Sequence, residues 1–190
     1  VANVAAAMAV LLTQGHNLRD VTEAVATMAP VPGRMQVIDG GPKWPRVVVD
    51  YAHTPDAIEK ALAALRPQCR GELICIVGCG GDRDRGKRAQ MGRAAAKGSD
   101  RVWFTSDNPR SEDPERILAD MADGLELPNS QRARSEVNRA EAIAVALQSA
   151  DPDDILLIAG KGHEQTQEIN GEFIPFSDFT VVHDIQGENN

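Results

Sequence analysis

Four short stretches of this 190-residue chain gather side chains able to bind charged ligands: Asp50-Tyr51-Ala52-His53, Gly78 to Arg83, Ser106 to Arg110 and Gly160 to Glu164. In the third, Asp107, Asn108 and Arg110 fall within four residues stiffened by Pro109. Arginine binds a carboxylate bidentately, whereas Asp and Asn accept from an ammonium group, so the tetrapeptide suits the two ends of an amino acid. It equally suits an Asx-type turn that caps the next helix and leaves Arg110 exposed. In the fourth stretch, Gly160 and Gly162 let ligand atoms approach the backbone, and Glu164 adds an acceptor for an ammonium group. His163 reads as an orienting hydrogen-bonding residue rather than a general base. His16 and His183 have no visible partners in the pattern, and no role is assigned to them.

The second stretch invites comparison with a phosphate loop, because Gly81, Gly86 and Lys87 satisfy GxxxxGK. Arg88 stands where a magnesium-binding Ser or Thr belongs, and Asp82 and Asp84 would repel phosphate, so that reading fails. What remains is a close-approach glycine turn presenting Arg83, with Asp82 and Asp84 pairing with neighbouring bases, or else a solvated charged turn. In the first stretch, Asp50 and His53 suit a ribose or phosphate, or simply cap the helix that follows. Arg34 either reaches a nucleotide across a cleft or pairs with an acid.

The elements that must position these groups alternate. β-branched or apolar runs at 46–51, 73–77, 101–105 and 155–159 read as buried strands. Thr54-Pro55-Asp56 opens a helix to about Leu65, another spans Lys87 to Lys97, and Asp113-Pro114-Glu115 opens a third. Asn138 and Glu141 form a capping-box pattern for a helix ending near Ala150. Two strands around Asn170-Gly171 read as a hairpin. The pattern predicts an α/β, Rossmann-like, mostly parallel sheet with helices on both faces. Ligands of such folds collect at the carboxyl ends of the strands, where all four stretches fall. Upstream, Val4–Leu12 and Leu18–Met28 read as a helix pair too small to bury its own apolar surface. Asn17 and Asp20 both offer N-caps for the second of them. Pro30, Pro32 and Gly33 then place a boundary, with residues 1–32 belonging to a preceding domain and 33–190 forming the complete one. Starting on Val1 inside an Ala-rich helix, the chain reads as cut from a longer protein. The polar tail 187–190 is expected to fray.

A net charge of −8 argues against a nucleic-acid or anionic-membrane surface while leaving room for a local basic pocket. Cys69, Cys75 and Cys79 fit neither a zinc site nor a disulfide framework and read as small core residues in a reducing cytoplasm. No run of about 18 apolar residues is present.

In this order, VPGRM (31–35), VVVDYAHTPDAIEKAL (47–62), GCGGDRDRGKR (78–88), SDNPR (106–110) and AGKGHEQ (159–165) resemble the Mur ligases that build the peptidoglycan stem peptide. Within them, the chain is most similar to the members that add meso-diaminopimelate. The resemblance covers essentially the whole chain. It implies a three-domain cytoplasmic enzyme, of which this chain is the end of the central ATPase and the entire C-terminal domain. It further implies that Arg83, Asp107, Asn108, Arg110, Gly160 and Glu164 bind meso-diaminopimelate, and that Arg34, Asp50 and His53 lie near ATP. The partners implied are meso-diaminopimelate, the UDP-MurNAc dipeptide and ATP with Mg2+, with no nucleic acid and no membrane. In the implied reaction, ATP phosphorylates the D-glutamate γ-carboxylate, and the amine of diaminopimelate displaces phosphate to form the amide. ATP and Mg2+ would be bound mainly by the central domain. No catalytic residue or metal ligand is assigned here, and the chain alone is expected not to ligate. Two other readings stay open: a related ligase with lysine or glutamate as acceptor, and a non-enzymatic amino-acid-binding module.

Overall fold

The computed structural model describes residues 2–29, 31–125 and 132–187. The expected fraying at 188–190 lies outside them. Backbone contacts divide the chain into units 1–31 and 32–190. The first is a helix pair, α1 (Ala2–Thr13) and α2 (Leu18–Ala26). Asn17 alone caps α2, its side-chain oxygen accepting from the Asp20 N–H at 2.8 Å; Asp20 is the first-turn acid and not the cap.

The second unit is built on a six-stranded sheet of spatial order β1-β2-β6-β3-β4-β5. Its strands are β1 (Gln36–Ile38), β2 (Arg46–Asp50), β3 (Leu73–Val77), β4 (Arg101–Phe104), β5 (Ala133–Ser135) and β6 (Ile155–Ala159). All neighbours pair in parallel except β1, which runs antiparallel to β2 at one edge. Side-chain alternation splits the core in two. Val48, Cys75, Val77, Phe104 and Leu157 pack against α3 (Pro55–Leu65), α4 (Gly86–Gly98) and α5 (Pro114–Ala122). Val47, Val49, Ile74, Ile76, Leu156 and Ile158 meet α6 (Arg139–Gln148) and α7 (Asp178–Gly187) on the other face. Strands flanked by helices on both sides need apolar residues at every position, which is why these runs do not alternate in polarity. Cys75 and Cys79 are buried in the first core, and burial pushes both thiols up to about 12, so they behave as apolar packing groups.

Side-chain caps begin the helices as the sequence implies. Thr54 accepts from Ala57 N–H, Asp113 from Glu115 N–H, and Asn138 from both Ala140 and Glu141 N–H. The return arm of the last cap differs from expectation: the Asn138 N–H donates to Glu136 at 2.8 Å, upstream of the helix, and not to Glu141. Asp82 and Asp84 also depart from the ion pairs expected of them. Asp82 accepts from the Ser111 hydroxyl, and Asp84 from the Gly86 N–H at the start of α4.

Behind that loop Arg88, only 1% exposed, joins α4 to α5 through Glu112 and Asp120, each at 2.8 Å. Glu112 also accepts from the Asp82 N–H and pairs with Arg85. The Arg88 hydrogen bonds, then the Asp82 N–H, hold its carboxyl at about 2, below the ordinary 4.5. A carboxyl depressed on folding contributes stability that is complete above pH 4.5 and lost as pH falls toward 2. Glu112→Gln is therefore expected to flatten the acid limb of urea-midpoint against pH in that window. A limb as steep as wild type would place the acid sensitivity elsewhere.

No helix among the described residues is long and apolar enough to cross a membrane.

Candidate functional site

The strand register brings the four stretches together. Asp50 pairs with Ala159, Ala159 with Val77, and Val77 with Phe104, so β2, β6, β3 and β4 stop at one level. Their following loops leave the sheet side by side. β6, last of the parallel strands in sequence, inserts between β2 and β3, and this change in winding opens a crevice above it.

A cleft of about 440 Å3 occupies that rim. Arg83, Asp107, Asn108, Arg110, Gly160 and Glu164 all line it, together with His53. Close backbone approach makes the cleft possible. At Gly81, whose N–H donates to the Asn108 carbonyl at 2.9 Å, an added Cβ would fall on the Pro109 carbonyl oxygen. The β3 loop and the 106–110 loop therefore abut with no room for a side chain between them.

Arg110 adopts φ +54°, a left-handed conformation unusual for arginine. Its Nη1 donates to the Gly81 carbonyl at 2.8 Å, and its Nε lies 2.9 Å from Glu168. Asn108 donates from Nδ2 to Glu164 Oε2 at 3.0 Å, while its Oδ1 accepts from Lys161 Nζ and from the Glu168 N–H. The amide is thus occupied on both ends. Glu164 keeps Oε1 without a hydrogen bond among the described residues. Although burial raises its pKa, hydrogen bonds from Asn108 and Lys161 and the nearby positive charge bring it below the ordinary value, so the carboxylate stays ionised. Asp107 is shifted the other way. Burial pushes its pKa up, only partly opposed by the charges of Arg139 and Lys161.

Lys161 and Arg139 are two further site residues that the sequence reading does not single out. Lys161 is fully buried beneath the cleft, 3.0 Å from Glu164 and 3.8 Å from Asp107. Its place after the buried β6 strand and between two glycines was the available signal. Arg139, in the first turn of α6, makes a bidentate pair with Asp178 at 2.7 and 2.9 Å. It also donates to the carbonyls of Ala159 and Ser106, tying the ends of β6 and β4 from beneath. Nothing in the local pattern around 139 separates it from a solvated helix residue.

The residues read as facing a nucleotide gather around Tyr51. The Arg34 guanidinium lies 4.6 Å from its ring centroid and the His53 ring 4.7 Å. Asp50 is hydrogen-bonded locally: one carboxylate oxygen accepts from Met35 N–H and the other from Ala52 N–H. It anchors the segment carrying Arg34 to the end of β2. At Gly33, φ +65°, an added Cβ would strike the His163 backbone, so this segment also packs on the 160–164 loop. Among the described residues no three His, Cys, Asp or Glu side chains are grouped to hold a metal.

Comparison with known proteins gives a consistent picture. The chain is 49% identical over 178 residues to the UDP-N-acetylmuramoyl-L-alanyl-D-glutamate–2,6-diaminopimelate ligase of Pseudomonas putida, covering 94% of this chain and 35% of that protein. To the ligase of the same name from Coxiella burnetii it is 54% identical over 148 residues, covering 78% and 30%. The chain therefore spans roughly a third of the length of these relatives. A solved structure of a ligase with that name superposes with TM-score 0.78 at 43% identity, over 98% of this chain and 38% of the other. Escherichia coli FolC in complex with ADP shares the fold at TM-score 0.65 and 22% identity, over 98% and 39%. Residues 33–162 match the family described as Mur ligase, glutamate ligase domain. With that match spanning most of its length, the chain belongs to the Mur ligase family.

Proposed function

We propose that this chain is the acceptor-binding part of a cytoplasmic, ATP-dependent ligase that joins meso-diaminopimelate to UDP-MurNAc-L-Ala-D-Glu in peptidoglycan synthesis. Residues 1–32 would be the last helices of its ATP-binding domain and 33–190 its C-terminal domain. One observation carries the reading: a single cleft offers two guanidinium groups and an ionised carboxylate with a free oxygen. That arrangement suits an amino acid with an additional carboxylate.

In this reading Arg110 and Arg83 take carboxylates, and Glu164 Oε1 accepts from an ammonium group. Asn108, Lys161 and Asp107 act behind Glu164, fixing which oxygen faces the ligand. Gly160 keeps the floor open. Arg34 and His53, arrayed on Tyr51, suit the anionic and aromatic parts of ATP, which when bound supplies the phosphoryl group that activates the acyl donor. Asp50 contributes by holding Arg34 in place. Among the described residues no three His, Cys, Asp or Glu side chains are grouped around a metal position, so magnesium would be held mainly by the central domain and the phosphates of ATP. The chain's own contribution is to place the acceptor amine against an activated carboxyl, an effect of orientation more than of acid–base chemistry.

A lysine acceptor lacks the distal carboxylate, so Arg110 separates the two substrates. In the full-length ligase, Arg110→Ala should lower the ratio of kcat/KM for meso-diaminopimelate over L-lysine by one to two decades, about 1.5–3 kcal/mol for a charge-assisted contact. An unchanged ratio would remove the acceptor assignment.

A further inference from the structure

We propose that Glu168, on the hairpin formed by β7 (Thr166–Ile169) and β8 (Glu172–Pro175), is a specificity-positioning residue that aims the Arg110 guanidinium at the acceptor. The inference rests on the acceptor reading above and extends it to a side chain outside the cleft lining.

The hairpin is a two-stranded sheet of its own, and its attachment to the 107–110 loop is dense. Arg110 N–H donates to the Glu168 carbonyl at 3.0 Å, and Asn170 N–H to the Arg110 carbonyl at 2.7 Å, a parallel bridge between Arg110 and Ile169. The Gln167 amide donates to the Asp107 carbonyl at 2.7 Å, and Glu168 N–H to Asn108 Oδ1 at 3.0 Å. The loop is therefore held at three successive hydrogen-bonding residues by β7 and its turn. This clamping explains how a non-glycine residue keeps φ +54° at Arg110, since such strain persists only where the surroundings over-determine it.

The side chain of Glu168 adds a distinct constraint. Its carboxylate lies 2.9 Å from Arg110 Nε, while the Gly81 carbonyl takes Nη1 from the other side. Two acceptors on different nitrogens fix both the position and the plane of a guanidinium. Nη2 is left with no protein partner among the described residues, on a side chain that lines the cleft. At 25% side-chain exposure, Glu168 is sheltered enough for this pair to be more than a solvated surface contact. Without it, the arginine keeps its charge but loses its aim, and a guanidinium out of plane gives up part of its contact with the acceptor's carboxylate.

The test uses the full-length ligase with meso-diaminopimelate and L-lysine as acceptors. Glu168→Ala should lower kcat/KM for meso-diaminopimelate about tenfold, chiefly through KM, with lysine use unchanged. Glu168→Gln should recover most of the loss, because its carbonyl oxygen still accepts from Nε. In an Arg110→Ala background, Glu168→Ala should have no further effect on the acceptor ratio, the mark of a residue acting through another. Thermal melts of each variant show whether folding is intact. Parallel loss with both acceptors, or an additive loss in the double variant, would overturn the assignment. A clear wild-type preference for meso-diaminopimelate that Glu168→Ala leaves intact sinks Glu168 alone. A wild-type ratio near one sinks the acceptor reading and this inference with it.

Discussion

Arg139→Met is expected to cost the 32–190 unit about 3–5 kcal/mol of unfolding free energy, the range for cutting one partner from a buried ion pair. Both members of the pair have side chains at 0% exposure. Removing the guanidinium leaves the Asp178 carboxylate desolvated and uncompensated, and strips the Ala159 and Ser106 carbonyls of a donor. Asp107 would also lose one of the two positive charges that oppose its burial, so its pKa would climb further. Urea denaturation of the chain measures the loss. Arg139→Lys should recover only part of it, because an ammonium cannot serve two carboxylate oxygens and two carbonyls from one plane. Arg139→Met combined with Asp178→Leu should be far less damaging than Arg139→Met alone, since no charge is then stranded. A single-variant loss below about 1 kcal/mol would mean that water reaches this pair and that it is not the strut beneath the rim.

The parallel core was legible because its strands advertise themselves. Val47-Val48-Val49 and Ile155 to Ala159 are apolar at every position, and Thr54, Asp113 and Asn138 announce the helices that follow or flank them. Edge elements carry no such mark. Gln36–Ile38 and Ala133–Ser135 are three residues each and only partly buried, so neither periodicity nor apolar run identifies them. They exist because a neighbouring strand offers an unpaired ladder, a tertiary cause. The terminal helix Asp178–Gly187 was missed for another reason. Its apolar residues are β-branched or aromatic, poor local evidence for a helix, and Asp178 is drawn inward by Arg139 from a different helix.

The site followed the same division. Glycines, the acid–amide–arginine cluster and Glu164 announced themselves by residue type at strand ends, and the structure places them in one cleft. Residues that act through partners distant in sequence did not. Glu168 lies 58 positions from Arg110 by numbering, and nothing near it mentions an arginine. Asp50 reads as a ligand group because a carboxylate at a strand end often is one; its two local backbone partners, Met35 and Ala52 N–H, are visible only in the fold.

Lys161→Met tests whether that buried network sets the charge of the cleft. Lys161 is the only ammonium among the described residues placed against Glu164 and Asn108 together, and it stands near Asp107 as well. Its removal takes the shared ammonium from the Glu164 and Asp107 carboxylates and a donor from the Asn108 amide. Stability should fall by about 3 kcal/mol, the low end of the range for a broken buried pair because Glu164 keeps some access to water. The functional effect should exceed the structural one. Lys161 helps hold the Glu164 pKa down and opposes the upward push of burial on Asp107, so both carboxyls move to higher pKa without it. A protonated Glu164 has lost the negative charge that draws an ammonium group to Oε1, and a neutral carboxyl is the weaker acceptor. Affinity for meso-diaminopimelate should therefore fall away at a higher pH in the variant than in wild type as the solution is acidified. Calorimetric titrations of the full-length ligase across pH read this directly. Coincident profiles would mean that Lys161 packs the floor of the cleft without governing its charge. A displaced profile in a variant that still melts cooperatively above the assay temperature would identify the lysine as the counter-ion that keeps the ammonium-binding carboxylate ready.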